Sequence, residues 1–167
     1  MASIGFIGLG KMGFLMLQNL SKSGHFIKVF DSSPKAMANL GKLPVTQAKD
    51  VYEVVKGVEF VISMLPDTKS VSDLYFDQAG LLHHISKQAV VIDCSTVAPE
   101  TARYLAKKAK ERDIFMLDAP VTGGINNALK GDLAFILGGE RGIVEKARPL
   151  LMTMGSFVIY AGGNGAG

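Results

Sequence analysis

Short runs rich in valine, isoleucine and phenylalanine recur along the chain at 4–8, 27–31, 60–65, 89–93, 114–118, 134–137 and 157–160. Most are apolar at consecutive rather than alternate positions, the pattern of strands covered by helices on both faces. Between them, 12–22, 34–40, 49–56, 71–76, 99–112 and 142–154 carry apolar residues at helical spacing. This alternation predicts right-handed βαβ crossovers and a mainly parallel, doubly wound α/β sheet. The 99–112 helix has Ser95 or Thr96 near its start as a cap and lysines and an arginine toward its end, matching the helix dipole. Residues 123–131, with their glycines, Asn126 and Asn127, read as a loop or a short helix.

Composition narrows the picture. With 167 residues, 48% of them hydrophobic, the chain can enclose one substantial core, so a single domain over 1–167 is expected. The net charge of +3 comes from 18 basic and 15 acidic residues without a dense cluster, which argues against nucleic-acid and polybasic membrane partners. No apolar run reaches the roughly 18–20 residues that span a bilayer. Cys94 is the single cysteine, which excludes an intramolecular disulfide, and no Cys/His spacing suits zinc. The first strand begins almost at Met1, so either no leader peptide exists or it has been removed.

The chemistry starts at the first strand end. Gly8, Gly10 and Gly13 form GxGxxG between a strand and a helix. Gly8 permits the tight turn, Gly10 lets an anionic ligand approach the backbone, and Gly13 lets helix and strand pack closely. The helix N-terminus then offers N–H groups and a positive dipole end to a pyrophosphate. Asp31, at the end of the second run, either accepts the ribose hydroxyls of an adenosine or caps the helix that starts near Pro34. The first reading disfavours the extra phosphate of NADP, and the order strand, glycines, helix, acid favours it, giving a Rossmann-type NAD site. The other strand ends, "SMLPD", "DCSTVAP" and "DAPVTGG", should line the same crevice. There the Thr96 hydroxyl either faces the nicotinamide half of the cofactor or caps the following helix.

These segments together resemble a known family. "GFIGLGKMG", "MLPD", "DCSTVAPET" and "DAPVTGG" look like the successive motifs of the β-hydroxyacid dehydrogenases, above all those of the 3-hydroxyisobutyrate type, over nearly the whole chain. The resemblance implies an N-terminal NAD(P)-binding domain followed by an all-helical domain that supplies much of the substrate pocket and the dimer contact, the latter domain being absent from this sequence. It implies cofactor contacts at Gly8, Leu9, Gly10, Lys11, Met12, Gly13, Asp31, Leu65, Pro66 and Thr96, and a substrate carboxylate held by Thr122, Gly123 and Gly124. The family usually has serine where Thr122 stands; threonine keeps the donor hydroxyl and adds a methyl group. Gly165 and Gly167 look like the family's GxG, and the acid/base lysine is expected beyond Gly167.

The implied activity is reversible NAD-dependent oxidation of a small 3-hydroxy acid such as 3-hydroxyisobutyrate to its semialdehyde, a step of valine breakdown, by a full-length homo-oligomer. The implied compartment is the mitochondrial matrix for a eukaryotic parent with its presequence removed, and otherwise the cytoplasm. A glyoxylate or succinic semialdehyde type of reductase and a non-catalytic nucleotide-binding module are the alternatives, and a 6-phosphogluconate dehydrogenase relative, which shares the architecture, is disfavoured by Asp31 because NADP is usual there. His83 and His84 read as surface or cap residues, since neighbours on a helical turn diverge by about 100°. Cys94 reads as a buried, inert thiol.

Overall fold

The computed structural model describes residues 1–76 and 80–167. The elements run β1 (Ser3–Ile7), α1 (Lys11–Leu20), β2 (Phe26–Phe30), α2 (Pro34–Ala38), β3 (Thr46–Gln47), α3 (Val51–Val55), β4 (Phe60–Ser63), α4 (Thr68–Phe76), β5 (Val90–Asp93), α5 (Pro99–Lys110), β6 (Phe115–Asp118), β7 (Val121–Thr122), α6 (Gly124–Lys130), β8 (Leu133–Gly138), α7 (Arg141–Leu151) and β9 (Gly155–Gly162). They form one nine-stranded sheet in which β3, β2, β1, β4, β5 and β6 lie side by side and parallel. The strand order reverses at β1, which places the ligand crevice of this architecture above the carboxyl end of β1. All seven strands expected from the apolar runs are present, and the α/β doubly wound class holds.

The right-hand part of the sheet departs from the simple pattern. β8 runs antiparallel to β6, with Asp118 opposite Gly138. β7 pairs with β8 in the same frame, Val121 opposite Phe135 and Thr122 opposite Ala134, so β7 continues β6 beyond Pro120. β9 then pairs parallel to β8 on its other side. The two-residue strands β3 and β7 carry no apolar run long enough to announce them. Residues 124–130 form the short helix α6, one of the two readings the sequence allowed.

Alternate residues of each central strand feed two separate cores. Ile4, Phe6, Phe60, Ile62, Val90, Ile92 and Leu117 face one cluster, completed by Met16, Leu17 and Leu20 of α1 and Val144 and Leu151 of α7. Ile7, Val61, Val91 and Met116 face the other, with Val54, Val71, Tyr75 and Leu105. Both faces of the strands are therefore dry, and this is why their sequences read as unbroken apolar runs. Gly5 faces the second cluster, and a methyl group there would stand 2.6 Å from the Val54 carbonyl oxygen, so α3 rides directly on the backbone of β1.

The expected cap of α5 is not there. Its N-cap is Ala98, with no side-chain bond, and Pro99 opens the first turn. The Ser95 hydroxyl instead bonds Asp93 at 2.6 Å, and Thr96 stays exposed. Proline at the first helical position needs no donor and fixes φ, which makes a side-chain cap dispensable. At the other end, Lys107, Lys108 and Lys110 fill the last turn and complement the helix dipole as expected.

Candidate functional site

Above the carboxyl ends of β1, β2 and β4 lies a cleft of about 580 Å³. Its lining includes Gly8, Gly10, Lys11, Met12, Gly13, Asp31, Leu65 and Pro66, eight of the residues expected at the cofactor. Ile7, Phe30, Ser32 and Met64 add its floor and near wall, and Val51, Ser70 and Leu74 arrive from α3 and α4.

Each glycine of the turn has a different constraint. Gly8 has φ +99°, and a Cβ on it would run into the Met64 carbonyl. A Cβ on Gly13 would strike the Gly8 carbonyl, so both glycines are demanded by the close approach of strand, turn and helix. Gly10 is different. Its backbone is ordinary, φ −62°, and a Cβ there would meet no protein atom within 4 Å. No protein atom crowds this position, which opens on the cleft and leaves the backbone free for a ligand to approach. The first bond of α1 runs from the Phe14 N–H to the Gly10 carbonyl at 2.9 Å, so the N–H groups of Lys11 to Gly13 have no partner within the helix. They form the electropositive end against which a pyrophosphate fits.

Asp31 is not the cap of the following helix; Ser33 is, accepting from the Ala36 N–H at 3.3 Å. Asp31 instead accepts the Leu9 N–H at 2.6 Å and the Ser33 N–H at 2.7 Å, one on each oxygen. Each oxygen keeps a lone pair, and the carboxylate is held at the rim where two ribose hydroxyls could donate to it. Leu9 contributes its amide to Asp31 and buries its side chain in the core, so it does not line the cleft.

On the other wall, Asp67 of the MLPD segment caps α4, accepting the Ser70 N–H at 2.7 Å. The Ser70 amide and hydroxyl hold the Asp67 carboxyl below its usual range. Behind the same wall lies a buried polar chain. The Tyr75 hydroxyl donates to Ser63 at 2.8 Å and Ser63 donates to Asp93 at 2.9 Å. Ser95 donates to the same Asp93 oxygen and accepts the Leu65 N–H at 2.9 Å. Burial pushes the Asp93 carboxyl up to about 6 against the opposing hydrogen bonds from Ser95 and Ser63, with Asp118 adding to the rise. Burial likewise raises the Tyr75 phenol and the Cys94 thiol.

The remaining expected residues lie apart from the main cleft. Thr96 lines a separate small cavity of about 70 Å³ with Ser95, Asp118, Pro120, Gly165 and Gly167. Asp118 fixes that corner by accepting the N–H groups of Gly165 at 2.9 Å and Gly167 at 2.8 Å. Thr122, Gly123 and Gly124 sit exposed at the end of β7 and the start of α6 and line neither cavity. Cys94 is fully buried, and His83 and His84 are exposed, engaging Arg112 and the Tyr52 ring. Among the described residues no cluster of His, Cys, Asp or Glu could hold a metal, and no helix is long and apolar enough to cross a membrane.

A family model, the NAD binding domain of 6-phosphogluconate dehydrogenase, matches residues 3–162. The chain belongs to this family. It is an NAD-binding domain of the group that includes the β-hydroxyacid dehydrogenases. Over all 167 residues it is 45% identical to the NAD-dependent L-serine dehydrogenase of Pseudomonas aeruginosa and 44% identical to the 3-hydroxyisobutyrate dehydrogenase of the same organism, covering 56% of each. The Mycobacterium tuberculosis 3-hydroxyisobutyrate dehydrogenase with L-serine superposes with a TM-score of 0.95 at 35% identity, over all of this chain and 56% of that one. The chain thus spans little more than half the length of these relatives.

Proposed function

We propose that this NAD-binding domain is the cofactor half of a dehydrogenase that oxidises a small 3-hydroxy acid to its semialdehyde. The observation that carries the reading is the open space over Gly10, the N-cap of α1, which lets a ligand reach the backbone in a cleft rimmed by Asp31. When bound, the nicotinamide cofactor supplies a two-electron acceptor for hydride transfer. The amides of Lys11 to Gly13 hold its pyrophosphate, with Lys11 adding positive charge, and Asp31 holds the adenosine ribose and selects NAD over NADP. Leu65 and Pro66 bound the far side of the cleft, and Thr96 serves the nicotinamide end.

L-serine and 3-hydroxyisobutyrate, the compounds in the relatives' names, share a carboxylate, a central carbon and a terminal primary alcohol. They differ only in the amino or methyl group on the central carbon. We therefore place that shared skeleton as the substrate class, its carboxylate on Thr122, Gly123 and Gly124. By the family resemblance, a lysine beyond Gly167 would take the hydroxyl proton, and most of the oligomer contacts would lie there too. A eukaryotic parent would work in the mitochondrial matrix, in valine breakdown, and a bacterial one in the cytoplasm.

Calorimetric titration of the 167-residue chain with NAD and NADP tests the reading. NAD should bind and NADP should bind more weakly. Asp31→Ala should weaken NAD by roughly ten- to a hundredfold, the worth of one charge-assisted hydrogen bond. Preference for NADP, or Asp31→Ala with unchanged NAD affinity, would overturn it.

A further inference from the structure

A fully buried carboxylate beside a binding cleft, touching none of its lining surface, calls for an explanation. Asp93 is 2% exposed, and none of the residues lining the main cleft is Asp93 or Ser95. Yet two hydrogen-bond chains end on one of its oxygens. The first comes from α4 through Tyr75 and Ser63, and α4 carries Ser70 and Leu74 into the cleft wall. The second comes from Leu65, whose N–H rests on the Ser95 hydroxyl, which in turn donates to Asp93. Leu65 and Pro66 form the turn on the far side of the cleft from Asp31. Without Asp93 the Ser95 hydroxyl could rotate, and the Leu65 amide would lose a lone pair aimed at it.

We propose that Asp93 and Ser95 are positioning residues for the cofactor cleft, fixing the Leu65–Pro66 turn and the last turn of α4 at a set distance from the glycine turn. The inference rests on the NAD reading of that cleft. A serine hydroxyl suits the task because it donates and accepts at once, passing the anchorage of the carboxylate on to a backbone amide. Burying an ionisable group is costly unless it is hydrogen-bonded, and three donors converge here on one oxygen, from Ser63, from the Ser95 amide and from the Ser95 hydroxyl. An apolar residue at 93 would fill the space without that cost, but it would leave both chains with no terminus.

The test compares NAD titrations of the wild-type chain and Ser95→Ala with hydrogen exchange at the Leu65 amide, read by NMR. Removal of one neutral hydrogen bond that holds the turn should weaken NAD about fivefold and speed Leu65 exchange, while exchange in β1 stays as in the wild type. Asp93→Asn keeps the shape and one acceptor oxygen and serves as the second variant should Ser95→Ala fail to fold; it should move both readouts in the same direction by a smaller factor. NAD affinity within twofold of wild type in the folded variants would overturn the inference, and so would weakened binding with Leu65 exchange unchanged. A wild-type chain that binds no NAD would instead bring down the reading of the cleft, a result plainly distinct from either.

Discussion

Alanine at Gly10 or at Gly13 adds one methyl group to the same turn, and the two variants should fail in different ways. At Gly13 the new methyl meets the Gly8 carbonyl, a backbone atom that cannot swing aside. Overpacking of this kind costs about 1–3 kcal/mol, and a rigid obstacle belongs at the upper end. Alanine returns about 1 kcal/mol in helix propensity, leaving a net loss of about 2 kcal/mol. For 167 residues the unfolding entropy near the midpoint is roughly 0.35 kcal/mol per degree, so Tm should fall by about 6 °C. At Gly10 the methyl meets no protein atom, and φ −62° suits alanine. Its slightly poorer capping and the lower entropy of the unfolded chain nearly cancel, so Tm should move by no more than ~2 °C. NAD affinity should nevertheless fall at least tenfold, about 1.4 kcal/mol, because the methyl stands where the pyrophosphate approaches. Differential scanning calorimetry and NAD titration on both variants decide the matter. Gly10→Ala with wild-type affinity would refute the account of the turn, as would Gly13→Ala with wild-type Tm.

Two further outcomes follow from the buried groups. Asp93 titrates at about 6 in the folded chain against an ordinary 3.8, so the folded state holds the extra proton and gains stability as pH falls through 6 toward 4. Between pH 7 and pH 5 the stability of wild type relative to Asp93→Asn should therefore rise, on the order of 1 kcal/mol, by denaturant melts at the two pH values. Asp118, Tyr75 and Cys94 are the ionisable neighbours, and the first two already enter the cause of the shift or bond through Ser63. A flat difference would contradict the assigned burial. Cys94, fully buried with its thiol pushed upward by burial and by Asp93, should resist a thiol-specific disulfide reagent at pH 8 and react at once in denaturant. Rapid modification of the native chain would show that the strand end opens.

The parallel core and the near side of the cleft were legible because their signals are local. Strand, glycine turn, helix and acid follow one another in sequence, and the dry faces of β1, β4 and β5 leave continuous apolar runs. Of the far wall, only Leu65 and Pro66 of the MLPD segment were legible. Val51 and Leu74 look like ordinary apolar positions of short helices, and only the packing of α3 and α4 over the strand ends brings them to the cleft. Ser95, like Thr96, looks like a cap because a hydroxyl shortly before a proline-led helix usually is one; its real partners are Asp93, two residues back, and Leu65, in the turn after β4. β7 escaped notice because two residues that pair only with a later strand leave no periodic trace. Thr96 and residues 122–124 are expected in one crevice because their segments end neighbouring strands and match family motifs, but Thr96 lines the small cavity while Thr122, Gly123 and Gly124 line neither.

Gly5 lies in mid-strand, well below the crevice, yet it governs the crevice's aperture. By letting the carbonyl of Val54 settle onto the sheet, it sets how far the opening turn of α3, with Val51 on it, leans over the cleft. A single added carbon at that depth would lift the helix like a shim under a hinge, widening the mouth while leaving every lining side chain chemically intact.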